Sequence, residues 1–353
     1  MAIHSTKKLA KPPSRTISSE SLDQTLENND TTLRPKSLED YIGQQEIKKN
    51  LAVFMQASKN RSEPLEHVLL HGSPGLGKTT LANIIANEMK TNIRITSGPI
   101  MERQGDIAAL ITNLEPGDIL FIDEIHRLKP IIEETLYSVM EDFALDIILG
   151  KGPSAKSIRL NLPKFTLIGA TTKLSLISSP LRDRFGHTFR LDFYQQNEME
   201  KIIERSAKLL EISIEKEAVK KLAYSSRQTP RIANRLLRRM RDFASVEGLN
   251  HLNLSLIEKG LTHLGIDEQG LDGTDRTILR LIIENFRGGP VGLSTLSAAT
   301  HEEGQTLEDI YEPFLLQKGF LERTPRGRMV TQKGYHHLGL IPPPQDKTQS
   351  LLF

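Results

Sequence analysis

Residues 72–80 read Gly-Ser-Pro-Gly-Leu-Gly-Lys-Thr-Thr and satisfy G-x-x-x-x-G-K-[ST] at every fixed position. Such a loop wraps a triphosphate in backbone N–H groups, and Gly75 and Gly77 are needed because a Cβ blocks the turn or the close approach. Lys78 then reaches the β- and γ-phosphates, the Thr79 hydroxyl holds Mg²⁺, and Thr80 follows at the phosphate edge. A second cluster closes the apolar run 119–122, where Asp123 and Glu124 precede Ile125 and His126. Two acids ending such a run are costly unless they meet a cation. Asp123 is expected to hold Mg²⁺, directly or through water, and Glu124 to orient and polarise the attacking water. His126 reads as a loop residue. Thr171 and Thr172 close residues 165–170 and sit next to Asp123 if the two strands are neighbours. Arg182 and Arg184 flank Asp183 between Pro180 and Gly186. Either they pair with that acid, or one of them is an arginine finger for the γ-phosphate.

These groups need elements to hold them. Residues 67–70 predict a short buried strand before the loop, and 80–89 a helix after it, the arrangement that sets a helix N-terminus against an anion. Strands at 93–96, 118–122, 164–170 and 188–191 alternate with helices near 106–112 and 133–143. The second of these helices buries Leu136, Val139, Met140 and Phe143. Alternation of this kind predicts an α/β domain with a mainly parallel sheet and ligands at the carboxyl ends of its strands. An amphipathic helix at 45–55 precedes it. Residues 145–160 break the pattern as strand, turn, strand. The hairpin either docks a partner or packs on its own domain.

Helices alone follow at 198–210, 216–224 and 231–246, the last carrying Arg235, Arg238, Arg239 and Arg241 on what reads as a solvated face. A glycine- and acid-rich stretch at 265–274 reads as a linker. Three short helices at 275–286, 294–301 and 306–317, then a hairpin around Pro325-Arg326-Gly327, make a winged-helix pattern over 275–340. Residues 1–32 are polar and read as a disordered arm, and 341–353 as a loose tail.

Composition bounds the rest. The chain of 353 residues carries a net charge of only +2, so DNA contact must come from a local patch. With no cysteine there is no disulfide or thiolate chemistry, which suits a reducing compartment. Nothing predicts a membrane span or a signal peptide, and the expected location is cytoplasmic.

Taken in order, Leu33-Arg34-Pro35-Lys36, Tyr41-Ile42-Gly43-Gln44, the loop at 75–80, residues 121–128, 140–143, 168–172, 180–186, 229–235 and 323–329 resemble the RuvB family over the span 33–339. Members are bacterial AAA+ motors of Holliday-junction branch migration. The resemblance implies an AAA+ large domain (33–194), a helical lid (195–264), a winged-helix DNA-binding domain, and an ATP hydrolase dependent on ATP and Mg²⁺. It implies that Leu33, Arg34 and Tyr194 form the adenine pocket, that Thr172 is sensor 1 and Arg231 sensor 2, and that Glu141, Asp142 and Phe143 lie near nucleotide. Arg184 becomes the finger serving a neighbour's site in a homo-hexamer. The hairpin becomes the docking surface for a RuvA-like junction-binding partner, with a RuvC-like resolvase and duplex or four-way junction DNA as further partners in recombination, repair and the SOS response. Two positions depart from the family: Ser73 stands where Pro is usual, and Gln228 where Gly commonly precedes Thr-Pro-Arg. One expectation comes from charge alone. The helix 306–317 carries Glu308, Asp309 and Glu312 and no arginine, so DNA contact should fall to Arg323, Arg326 and Arg328 on the wing and be indifferent to base sequence.

Overall fold

Three apolar runs become the centre of one parallel sheet. The first seven strands of the computed structural model, which describes residues 32–149 and 156–343, are β1 (Val68–His71), β2 (Ile93–Ser97), β3 (Ile119–Asp123), β4 (Ala144–Leu149), β5 (Lys156–Asn161), β6 (Thr166–Thr171) and β7 (His187–Arg190). The sheet order is β2-β3-β6-β1-β7, with every neighbouring pair parallel. β1, β3 and β6 are buried almost end to end, as strands covered on both faces must be. The covering helices are α1 (Gln45–Arg61), α2 (Lys78–Met89), α3 (Gln104–Ile111) and α4 (Pro130–Glu141). α1 buries Ile47, Leu51 and Met55 on one stripe, and α4 buries Ile132, Leu136, Val139 and Met140. Phe143, expected on that last stripe, lies outside the helix. The chain turns there through a left-handed residue (φ 49°) into β4, and the ring packs beside His67 and Phe165.

β4 and β5 pair antiparallel as a separate ribbon, with Leu145 buried in the domain core and Ile158 and Leu160 exposed. The turn expected at 150–155 lies outside the described residues. So do the expected arm, up to residue 31, and the tail from 344.

The lid consists of α5 (Gln196–Leu209), α6 (Lys216–Ser225), α7 (Pro230–Val246) and α8 (Leu254–His263). α7 starts at a proline, where a missing N–H costs nothing. It buries Ala233, Leu236, Leu237 and Met240, which leaves Arg235, Arg239 and Arg241 exposed and Arg238 half-buried. The winged helix follows as α9 (Gly273–Phe286), α10 (Leu293–Thr300), a π-helical turn (Leu307–Tyr311) running into α11 (Glu312–Gln317), β8 (Leu321–Thr324), β9 (Gly327–Val330) and α12 (Gln332–His337). Its core gathers Leu279, Ile282, Leu296, Phe314, Leu315 and Phe320. The stretch expected as a linker is held down: Arg276 donates to the carbonyls of Gly265 (2.8 Å) and Leu271 (2.9 Å), and Asp272 caps α9. Arg227 of the lid reaches Asp272 at 2.6 Å, also pairs with buried Asp275, and lies 4.9 Å over the Phe314 ring. Lid and winged helix are therefore joined by a partly desolvated cation.

By compactness the chain divides at Arg34, into residues 1–34 and 35–353. Of the first unit only Thr32–Arg34 are described, and Leu33 and Arg34 belong to it.

Candidate nucleotide site and winged-helix face

β1 delivers the chain to the glycine loop, and α2 carries it away. Gly75 (φ 78°) and Gly77 (φ 104°) occupy left-handed backbone, the region in which a side chain is strained. Neighbours close the remaining space. A Cβ on Gly77 would come within 2.8 Å of the Tyr41 hydroxyl, and one on Gly75 within 2.7 Å of Thr229 and 3.0 Å of Arg231. The loop is thus wedged between Tyr41 and the start of α7. The Tyr41 and Tyr194 hydroxyls lie 3.4 and 3.0 Å from the Leu76 carbonyl and 3.0 Å from each other, so their two protons are shared among these three contacts. Burial pushes the Tyr194 phenol up to about 12, so both rings stay neutral donors. Gln44 braces the same corner through its amide: Nε2 donates to the Asp192 carbonyl (2.6 Å), and Oε1 accepts from the Asp192 N–H (3.2 Å).

Lys78 folds back into the loop and donates to the carbonyls of Gly72 (2.7 Å) and Ser73 (3.0 Å). Position 73 contributes only its carbonyl here, so serine serves as well as proline. Burial brings the Lys78 ammonium down to about 8; Asp123 opposes the shift, Arg231 adds to it, and Glu124 opposes it more weakly. These influences place Lys78 among Asp123, Arg231 and Glu124, the side chains expected to converge there. Thr79 and Thr80 lie in the first turn of α2, half-buried.

Register explains the rest. Ile122 of β3 faces Gly169 of β6, and Thr171 of β6 faces His71 of β1, so Asp123 and Thr172 leave the sheet at the edge from which the loop departs. Asp123 Oδ1 accepts the Glu124 N–H at 2.9 Å. Glu124 adopts a left-handed backbone (φ 48°), sparsely populated for a side-chain-bearing residue, as it turns out of the strand. The two threonines separate in role. Thr171 is fully buried; its hydroxyl meets His126 Nδ1 at 3.0 Å and accepts the Lys173 N–H at 2.9 Å. Thr172 is half-buried and lines, with Gly72 and Ser73, a cavity of about 500 Å³. His126 is more than a loop residue: burial holds its ring below the usual histidine value, in the neutral form that orients Thr171. A strand-end polar pair leaves no periodic trace, so that bond was illegible in the sequence.

For Mg²⁺ the donor chemistry fits. One hydroxyl (Thr79) and one carboxylate (Asp123) beside a phosphate loop are the oxygen ligands the ion takes when phosphates and waters complete its shell. Among the described residues no group of three or more His, Cys, Asp or Glu is placed to hold a metal ion.

Arg184 lies elsewhere. Its guanidinium donates to the Pro180 carbonyl (2.7 Å) and to Glu141 (3.2 Å), and lies 4.5 Å over the Tyr137 ring. Met140, next to Glu141, has its carbonyl 3.1 Å from His67, which opens β1, whereas the glycine loop leaves the other end of that strand. Asp142 pairs with Arg159 of the β4–β5 ribbon at 2.7 Å. Glu141 therefore pairs with Arg184, while Asp142 turns to the ribbon and Phe143 packs beside His67 and Phe165, and the three sit by the end of β1 opposite this chain's own loop. Arg182 is half-buried at the end of a short helical turn.

On the wing the expectation needs one correction. Arg323 is exposed and pairs with Glu308 at 3.2 Å, and Arg326 is exposed at the turn. Arg328, the cross-strand neighbour of Arg323, is only 6% exposed and pairs with buried Glu312, while Glu308 lies 3.8 Å off. A cation committed to an interior carboxylate is not available to phosphate; Arg328 belongs to the domain core. The helix carboxylates are likewise occupied by cations of this chain.

Comparison with known proteins gives the same layout. The chain matches the family models described as Holliday junction DNA helicase RuvB P-loop domain (residues 33–191), RuvB AAA lid domain (194–267) and RuvB C-terminal winged helix domain (268–339). It is 58% identical over 309 residues to the Holliday junction branch migration complex subunit RuvB of Kosmotoga olearia, covering 88% of this chain and 90% of that one. The structure of the Thermotoga maritima RuvB Holliday junction branch migration motor aligns with a TM-score of 0.81 at 52% identity, covering 88% of this chain and all of that one. A point variant of the same protein aligns at 0.82 and 52% identity, with 88% of this chain covered and 100% of the other. The parallel-sheet P-loop domain, the lid and the winged helix stand in family order, and this chain belongs to the RuvB family, the ATP-driven motors of Holliday-junction branch migration.

Proposed function

We propose that this chain works as one subunit of a homo-hexameric ring, in which hydrolysis at each site is completed by the next subunit. The observation that carries this reading is the position of Arg184, gathered with Glu141 at the end of the sheet away from its own glycine loop. A finger so placed serves a γ-phosphate held by a neighbour, and Glu141, Asp142 and Phe143 would meet that nucleotide with it. Within the subunit, Gly75, Gly77 and Thr80 wrap the phosphates, Lys78 leaves its two carbonyls to neutralise the β- and γ-oxygens, and Tyr194 contributes to the adenine pocket. Asp123 and Thr79 hold Mg²⁺, which when bound neutralises charge on the phosphates. Glu124 takes the proton of the attacking water, Thr172 orients that water, and Arg231 ties the lid to the state of the nucleotide.

Force then passes to DNA. Arg323 and Arg326 contact duplex phosphates without reading bases, as translocation along any sequence requires. The β4–β5 ribbon, with Ile158 and Leu160 exposed, docks a RuvA-like partner at the four-way junction, and a RuvC-like resolvase acts on the product. The setting is the bacterial cytoplasm; among the described residues no helix is long and apolar enough to cross a membrane.

Steady-state ATPase with and without junction DNA, and movement of a synthetic junction with the partner present, test the reading. Glu124→Gln should lower turnover by about 10²–10⁴-fold and leave ATP binding intact. Negligible wild-type turnover, with junctions that do not move, would mark the protein as a nucleotide-gated binding switch instead.

A further inference from the structure

Lys173 follows Thr172 directly, and its side chain crosses to the winged helix. Its ammonium lies 3.4 Å from Asp309 and 3.8 Å from Glu308. Lys173 and Asp309 are each 20% exposed in their side chains, so this pair is partly desolvated and less screened than a surface ion pair. Both acids sit on the π-helical turn Leu307–Tyr311, an irregularity frequent at functional sites. They form, with Arg323, the far wall of the cavity whose near wall is Gly72, Ser73 and Thr172. Glu308 is shared: Lys173 approaches it from the sheet edge at 3.8 Å and Arg323 from the wing at 3.2 Å, while Arg328, held in the core by Glu312, stays fixed at 3.8 Å as a constant third cation. The chain therefore contains a charge relay with the nucleotide loop at one end and the exposed wing at the other.

We propose that Glu308 is a coupling residue for which Lys173 and Arg323 compete, so that duplex DNA on the wing tightens the winged helix onto the loop bearing Thr172. The sign follows from the competition. A DNA phosphate that draws Arg323 away leaves Glu308 less neutralised, and its attraction for Lys173 grows. By linkage, a firmer Lys173 contact frees Arg323 and raises affinity for DNA. The proposal rests on the reading of Arg323 as a phosphate contact.

Three variants separate the two ideas, each measured for duplex affinity by fluorescence anisotropy and for the ratio of ATPase with and without duplex. Glu308→Gln should bind duplex more tightly, by about fivefold, because Arg323 is released. Its DNA stimulation of ATPase should be lost, because the relay is cut. Lys173→Ala should bind more weakly by a similar factor, although it lies off the wing, and lose stimulation too. Charge removal alone also moves affinity in opposite directions in the two variants, so the deciding readout is stimulation, and opposite affinity shifts with stimulation retained in both would refute the relay. Arg323→Ala is the control. If it binds duplex as wild type does, the wing reading fails. If it binds more weakly while Glu308→Gln and Lys173→Ala match wild type in affinity and stimulation, or shift affinity together, the relay is refuted and the wing reading stands.

Discussion

Lys78 shows how a single residue can be prepared for its ligand and still resist it. Its ammonium is held by two carbonyls, and burial brings it to about 8. Only the protonated form pairs with phosphate. Below that pH the group is already charged, and affinity for ATP should be flat with pH. Above it the free site must take up a proton to bind, so affinity should fall by up to about tenfold per pH unit until the raised pKa of the complex is reached. Calorimetry of ATP binding in buffers of different ionisation enthalpy measures this directly. Close to one proton taken up at pH 9, and little at pH 7, is the expected result; none at pH 9 would show that the loop does not bury the charge.

At the scale of elements, two segments are held in ways their sequences do not favour. Arg227 and Gln228 both have φ 53°, ahead of the proline that starts α7. Left-handed backbone costs a side-chain-bearing residue roughly 1–2 kcal/mol. The glycine usual in the family at 228 avoids this, and Gln228 recovers part of the cost through its hydrogen bond with Gln317. Gln228→Gly should therefore stabilise the protein by about 0.5–1 kcal/mol in denaturant unfolding. On the wing, Arg323 and Arg328 are cross-strand partners with opposite fates. Arg328→Ala strands the Glu312 carboxylate, 4% exposed, and should destabilise by about 3–5 kcal/mol. Arg323→Ala should leave the melting temperature unchanged, weaken binding alike for unrelated duplexes, and reduce the salt dependence of binding by about one phosphate contact. An Arg328→Ala protein of unchanged stability would contradict the buried pairing.

At the scale of the whole molecule, the proposed ring assigns the finger of one subunit to the loop of the next. Arg184, half-buried, pairs with exposed Glu141 at the sheet end that the glycine loop does not occupy. Mixing Arg184→Ala subunits with Lys78→Ala subunits should restore part of the ATPase that each lacks alone. Some interfaces then pair an intact loop with an intact finger. Co-assembly without recovery would show that the finger acts within its own subunit. The same placement explains why three adjacent acids and aromatics at 141–143 could be tied to nucleotide by family likeness and still lie apart from the loop of their own chain.

The glycine loop with Lys78, the acids ending β3 and the strand–helix alternation were legible in the sequence, because each rests on local rules: backbone N–H spacing, the cost of terminating an apolar run in charge, and period. So were the three domains. Pairings between distant segments were not. Tyr41 and Tyr194 converge on Leu76, His126 turns to Thr171, Lys173 reaches Asp309, and Arg328 enters the core while Arg323 stays out. A polar side chain meeting a partner a hundred residues away leaves no periodicity, and two arginines five apart in one wing read alike. Burial separates them, and burial exists only once the chain has packed.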